Sequence, residues 1–236
     1  MSFLADLASR SNWLQNLASR MVAGMDPSVS HNLEKYSALH KVHYMASVEQ
    51  VPGDYLEFGV FGGSSLRHAM RCHLRFSSLT PHETRFFGYD SFNGFGDVSR
   101  EDEHPAFQDH NFQTDVNKVR QSLKAMGGNL QWQVIEGFFE QSLKDGPESH
   151  GIEQARIVFI DCDLYQSAKL ALDYSAPVLQ SGSFIVLDDF FGYRGRRDRG
   201  VCRAFDEVVV AHSLDVRQVM TYGMGGVVWV CGGRKG

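Results

Sequence analysis

Three aspartates carry the strongest chemical signal in this chain. Asp161 follows the apolar run Arg156 to Ile160, and Asp188 and Asp189 follow Phe184 to Leu187. Both runs read as strands. Side by side, about 4.8 Å apart, two such strands bring their terminal carboxylates to one edge of a sheet. Carboxylates about 5 Å apart repel by roughly 3 kcal/mol at an effective dielectric of 20, so a third demands a proton or a cation. An all-oxygen set suits a hard ion, Mg²⁺ or Ca²⁺, better than zinc. Asp163 has another use: Asp163-Leu164-Tyr165-Gln166 has capping-box spacing, which assigns it to the start of the next helix.

A second constellation lies earlier. Glu57-Phe58-Gly59-Val60-Phe61-Gly62-Gly63-Ser64-Ser65 runs from a strand through glycines into a helix, a turn that aims backbone amides and the positive end of the helix dipole at a ligand. The dinucleotide pattern G-x-G-x-x-G would need glycine at position 57, where Glu57 stands and would repel a pyrophosphate. An acid there suits a cationic or hydroxyl-bearing ligand. Ser64 and Ser65 can cap the helix or bind a ligand carboxylate, with capping expected for at least one. Asp90 ends the next strand, placed for a ribose diol. The pairs His40 and His43, and His68 and Cys72, have helical spacing but no third ligand in register, and read as packing. Arg194, Arg196, Arg197 and Arg199 form a run that either grips an anionic substrate or is a solvated surface.

The elements that must position these residues follow from hydrophobic pattern. Strands are expected at Tyr55 to Phe58, Phe86 to Tyr89, Leu130 to Ile135, Arg156 to Ile160, Phe184 to Leu187, Val216 to Met220 and Gly226 to Cys231. Helices are expected between most of them, at Ser65 to Arg75, Thr114 to Ala125, Gln166 to Leu179 and Cys202 to Ala211. This alternation predicts an α/β fold, a doubly wound, mostly parallel seven-stranded sheet with helices on both faces. Thr221 to Gly225 is too short for a crossover helix, so the last two strands form an antiparallel hairpin. Residues 1–50 read as a helical extension, with Phe3, Leu7, Leu14, Leu17 and Met21 on one face and a second helix from about Asn32 to Val48. Residues 51–236 form the main domain. Ser91 to Phe112, carrying His104 and His110, is a long polar segment that reads either as a lid or binding loop or as a mobile acidic surface loop with no role.

Composition narrows the function. The chain has 236 residues, 43% of them hydrophobic, enough for a core without disulfide or metal staples. A formal net charge of -5 gives no general reason to bind nucleic acid. No run approaches the roughly 20 apolar residues of a membrane span, and no secretory signal is legible. Four dispersed cysteines, Cys72, Cys162, Cys202 and Cys231, read as reduced thiols of a cytoplasmic protein. The amphipathic amino terminus favours a homodimer.

With both constellations in place, the chain resembles the class I S-adenosylmethionine-dependent methyltransferases, most closely the macrocin and mycinamicin type of sugar O-methyltransferase. The residues that carry it are Gly53 to Ser64, Asp90-Ser91-Phe92-Asn93-Gly94, Gly137-Phe138-Phe139, Asp161 to Ser167 and Asp188-Asp189-Phe190. The resemblance implies a Rossmann-like seven-stranded sheet, S-adenosylmethionine at the glycine turn and Mg²⁺ near the transferred methyl. It places Glu57, Gly59, Gly63, Ser64 and Ser65 at the methionine end and Asp90 at the ribose. Ser91, Phe92, Gly137 and Phe138 surround the adenosine, and Asp161, Asp188 and Asp189 hold the metal. The acceptor would be a hydroxyl, such as one of a vicinal diol on a sugar. Catechol-type relatives would have a lysine where Leu164 stands, so the proton acceptor falls to a triad aspartate, Asp189 foremost, or to His104 or His110. A nicotinamide-dependent sugar oxidoreductase and a noncatalytic cofactor- or partner-binding domain are the alternatives.

Overall fold

Strands that are apolar on both faces take the centre of the sheet. In the computed structural model, which describes residues 2–96, 98–105, 112–126 and 129–235 and side chains from residue 11, β4 (Ala155–Ile160) is buried along its whole length, as a parallel strand covered on both sides must be. β1 (Asp54–Phe58) and β5 (Leu179–Leu187) flank it. Beyond β1 lie β2 (Phe86–Asp90) and β3 (Trp132–Glu136), and beyond β5 lie β7 (Gly226–Arg234) and then β6 (Leu214–Tyr222). The order is β3-β2-β1-β4-β5-β7-β6. The first five strands are parallel, and β7 runs antiparallel to both its neighbours, the expected hairpin. The chain leaves β1 toward one edge and returns at β4, so the carboxyl ends of β1 and β4 border the crevice where such sheets bind ligands.

Two apolar layers hold the helices to the sheet. One face packs α2 (Pro27–Val48), α3 (Ser64–Phe76) and α4 (Val116–Lys124) through Leu39, Val42, Leu66, Met70 and Val119. The other packs the short α5 (Phe139–Ser142), α6 (Tyr165–Ser175) and α8 (Gly200–Ala211) through Phe139, Leu172, Val201 and Phe205. A single turn, α7 (Gly192–Gly195), precedes α8. Strand periodicity assigns the faces: Leu56 and Phe58 enter the α6–α8 layer and Tyr55 the α2–α3 layer, so Glu57 points with Tyr55 toward α2 and α3. α1 (Ser2–Ala23) precedes α2, and its side chains from Ser11 onward are exposed. No described helix is long and apolar enough to cross a membrane.

Several boundaries differ from the sequence reading, β5, β6 and β7 each running longer than expected, and two of the differences have a local cause. α2 starts at Pro27 rather than Asn32, because Asp26 accepts a hydrogen bond from the Ser28 amide and Pro27 occupies the first helical position. That additional turn carries His31. The helix expected to reach Leu179 ends at Ser175, two residues before Pro177, and Leu179 already begins β5.

Candidate active site

The glycine turn is built on close backbone approach. Gly59 has φ +95°, and a Cβ there would stand 1.7 Å from the Asp161 carbonyl oxygen, so the exits of β1 and β4 touch only because position 59 has no side chain. Gly63, at φ +70°, opens α3 with no side-chain cap. Ser64 and Ser65 do not cap that helix: Ser65 Oγ donates to Glu57 Oε1 at 2.7 Å, while the Tyr55 hydroxyl donates to Glu57 Oε2 at 2.6 Å. Glu57 is fully buried, and burial pushes its carboxyl up to about 7 despite these two donors. Asp90 joins two loops: its Oδ2 accepts from the Phe61 amide at 2.7 Å and its Oδ1 from the Phe92 amide at 2.6 Å. Ser91 closes the turn beyond it by donating to the Gly94 carbonyl.

A cavity of about 330 Å³ lies over these elements, within the range of small-molecule sites. Of the residues singled out from sequence, Gly59, Ser64, Ser65, Asp90, Ser91 and Phe138 line it. Glu57 and Gly63 do not. Phe92 and Gly137 instead face an adjoining recess that shares Ser91 and Phe138. Asp161 and Asp163 line the cavity from the end of β4, and Asn32 and Lys35 from α2.

The carboxylates converge as the strand order requires. Asp161, Asp188 and Asp189 each offer an oxygen within 4.8 Å of the others. Lys35 Nζ sits 2.8 Å from Asp161 Oδ2 and 2.6 Å from Asp188 Oδ2, and His31 Nε2 lies 3.1 Å from Asp188 Oδ2. The Met224 amide donates to His31 Nδ1 at 3.1 Å, which leaves the proton of the neutral ring on Nε2, aimed at Asp188. Burial opposes ionisation of Asp188, but the His31 hydrogen bond and the Lys35 charge outweigh it and hold the carboxyl well below the usual range. Burial likewise opposes the Lys35 charge, and Asp161 and Asp188 more than restore it. Asp188 Oδ1 is buried and engaged by neither Lys35 nor His31, and the buried Tyr222 hydroxyl lies beside the carboxylate.

Asp163 corrects the capping expectation. It adopts φ +60°, facing Asp189 at φ +50°, backbone states that cost energy in any residue but glycine. Burial and the Asp189 charge raise its carboxyl well above the ordinary value, and its side chain shares a hydrogen bond with Asp189, itself raised by burial and by Asp188. The α6 amino terminus, Leu164, has no side-chain cap of its own. Instead Asp102, from the polar segment after β2, accepts from the Tyr165 amide at 2.8 Å.

That bond belongs to a latch. The Tyr193 hydroxyl donates to the Asp102 carbonyl at 3.0 Å, Arg199 to the Glu101 carbonyl at 3.2 Å, and Arg203 pairs with the Glu101 carboxylate at 2.8 Å. Arg199 therefore secures the loop, while Arg196 forms an exposed pair with Asp198. His104 packs edge-on against Tyr193, and His110 lies outside the described residues. His43 is fully buried and His68 contacts Cys72 and the Tyr36 carbonyl, as expected of packing residues. All four cysteines are buried and free. Sequence reading missed Lys35, His31 and Asp102. The signal available for the first two was a basic pair at i, i+4 on a helix that must cover the carboxylate edge.

Comparison with known proteins agrees with the resemblance. Residues 9–216 match the family model described as macrocin O-methyltransferase. Over 190 residues the chain is 30% identical to a Streptomyces olivaceus protein, covering 72% of this chain and 70% of that one. That relative is named 8-demethyl-8-(2,3-dimethoxy-alpha-L-rhamnosyl)-tetracenomycin-C 4'-O-methyltransferase. Among solved structures, the O-methyltransferase NovP aligns with a TM-score of 0.64 at 20% identity, over 82% of this chain and 78% of that one. CalS11, a calicheamicin methyltransferase, aligns with 0.65 at 21%, over 83% and 76%. These two likenesses are of fold.

Proposed function

This chain belongs to the macrocin O-methyltransferase family, and we propose that it transfers the methyl group of S-adenosylmethionine to a hydroxyl of a sugar or related small molecule, with Mg²⁺ held by Asp161, Asp188 and Asp189. The observation that carries this reading is a single cavity joining the glycine turn and Asp90 to Asp161 and Asp163. A cofactor seated at the first end reaches Asp161 and Asp163 at the second; Asp188 and Asp189 do not line the cavity but stand within 4.8 Å of Asp161. The rhamnosyl acceptor in the curated relative's name supports a sugar substrate here, and family membership counts against a nicotinamide oxidoreductase.

In this reading Gly59, Gly63, Ser64 and Ser65 receive the methionine end, and Ser91, Phe92, Gly137 and Phe138 the adenosine. Asp90 takes the ribose diol with the lone pairs its two amide donors leave unused. Glu57 acts from behind the cavity wall by fixing Ser65. The clustered oxygens and the buried Asp188 Oδ1, engaged by neither Lys35 nor His31, fit a hard divalent ion. The cofactor supplies an activated methyl, and the ion supplies Lewis-acid polarisation of the acceptor oxygen. Asp189 accepts the hydroxyl proton, positioned by its hydrogen bond with Asp163, and Gly94, Phe95 and Phe112 wall the cavity. Residues 51–236 form the catalytic domain of a cytoplasmic protein. The exposed Trp13, Leu14, Leu17 and Met21 of α1 meet a second copy, and light scattering of Leu17→Glu/Met21→Glu protein, expected monomeric against a dimeric wild type, checks this.

The principal test is calorimetric titration of S-adenosylmethionine, with and without Mg²⁺, into wild type, Glu57→Ala and Asp161→Asn/Asp188→Asn protein, followed by mass-spectrometric detection of methylated rhamnosyl acceptors. Cofactor binding weakened by the first variant and retained by the second, with Mg²⁺ heat lost only in the second, is expected. No cofactor binding by wild type in either condition overturns the reading, and binding without turnover of any hydroxylated acceptor favours the noncatalytic alternative.

A further inference from the structure

We propose that Lys35 is the resident counter-ion of the carboxylate cluster in the metal-free protein, and the competitor a divalent ion must displace. The inference rests on reading Asp161, Asp188 and Asp189 as a metal site. One ammonium bridges the ends of β4 and β5, at 2.8 Å from Asp161 Oδ2 and 2.6 Å from Asp188 Oδ2. A divalent ion on those oxygens and an ammonium bonded to them would stand a few ångströms apart in a buried site, where like charges repel strongly. His31 and Lys35 both engage Asp188 Oδ2, so the buried Oδ1, with the Tyr222 hydroxyl beside the carboxylate, offers an incoming ion an oxygen that Lys35 does not hold.

The geometry also says which part moves. The backbone of α2 is tied to the hairpin turn by Glu34, which accepts from the Gly223 amide at 2.9 Å, and by His31, which accepts from the Met224 amide at 3.1 Å. His31 is further engaged with Asp188. The four-carbon stem of Lys35 is the flexible element, and Lys35 already lines the cavity. Displacement therefore swings the ammonium into the cavity while α2 stays docked. Metal affinity is set against an internal cation.

Binding, rather than turnover, tests this. Mg²⁺ is titrated calorimetrically, and Mn²⁺ by its paramagnetic resonance signal, into wild type, Lys35→Met, Lys35→Gln and Asp188→Asn protein. Both lysine variants are expected to bind at least about tenfold more tightly than wild type, and Asp188→Asn to lose binding. Metal-free lysine variants melt below wild type, and saturating Mg²⁺ closes the gap. In wild type, Mg²⁺ raises the rate at which an amine-reactive reagent labels Lys35, read by peptide mass. Lys35→Gln retains a hydrogen-bond donor, so the test survives misfolding of Lys35→Met, which circular dichroism detects. Equal or weaker metal binding in the folded lysine variants, or unchanged labelling on saturation, overturns the proposal and leaves the metal site standing. Absence of metal binding in every protein overturns both.

Discussion

Removing the Asp102 carboxylate tests whether the stretch around Ser99 to Asp102 is latched to α6. Asp102 is 1% exposed and accepts from the Tyr165 amide at 2.8 Å, with Ser99 donating to its other oxygen at 3.2 Å. In Asp102→Ala the first amide of α6 loses its acceptor in a place that water does not reach, a loss of about 1–2 kcal/mol by the scale of helix caps. For a chain of this size each kcal/mol lowers the melting temperature by roughly 2–4 °C, so a fall of about 3–6 °C is expected. Asp102→Asn keeps an acceptor and forfeits only the charge–dipole part, about 0.3–1 kcal/mol. Melting curves of the three proteins give the ranking wild type, Asn, Ala. Limited trypsinolysis adds a local reading, because the exposed Arg100 lies in the latched segment and its cleavage accelerates in the Ala variant. An Ala variant that melts within about 1 °C of wild type and is cut no faster at Arg100 refutes the latch.

Three further outcomes follow from the same structure. Burial and the nearby Arg156 charge lower His43 well below its ordinary value and His73 to about 4; the unfolded chain therefore takes up protons first as pH falls below about 6.5, and stability declines from there toward pH 4. Urea midpoints at successive pH values check this, and a His43→Phe variant with an unchanged slope speaks against it. Glu57, pushed up to about 7 by burial, favours folding in its protonated form, so its contribution is lost as pH rises from its unfolded value through 7; the stability gap between wild type and Glu57→Gln should narrow from pH 5 to 8, and a constant gap contradicts the assignment. Asp189→Asn should lower kcat by about 10²–10⁴ with cofactor affinity preserved, and turnover within a few-fold of wild type removes it as the proton acceptor.

Fold was legible where burial decides local pattern. Val158, Phe159 and Ile160, buried on both faces, have no alternative to a central strand, and the five-residue link before Gly226 admits only a hairpin. The errors lie where one residue competes with another outside the window. Asp163 satisfies capping-box spacing, yet its backbone turns left-handed and its carboxyl joins Asp189, while the cap comes from Asp102, 63 residues away in the chain. Local spacing names a residue able to cap a helix; tertiary structure chooses among those within reach.

The convergence of the carboxylates was legible for a related reason. Adjacent parallel strands deliver their ends to one edge, so Asp161 and Asp188 meet once β4 and β5 pair in register, Ile160 beside Leu187. The cation that balances them was not, because Lys35 lies 126 residues from Asp161 and reaches it from a helix crossing over the sheet. Repulsion among the carboxylates called for a proton or a cation without saying which, or whether protein or solvent supplies it. The structure shows that the chain carries one of its own. Lys35 bridges Asp161 and Asp188, yet burial and mutual repulsion still raise the Asp161 and Asp189 carboxyls, so one ammonium leaves part of the repulsion in the cluster unrelieved. A divalent ion that displaces the side chain gains the deficit Lys35 leaves, and loses what Lys35 had already neutralised.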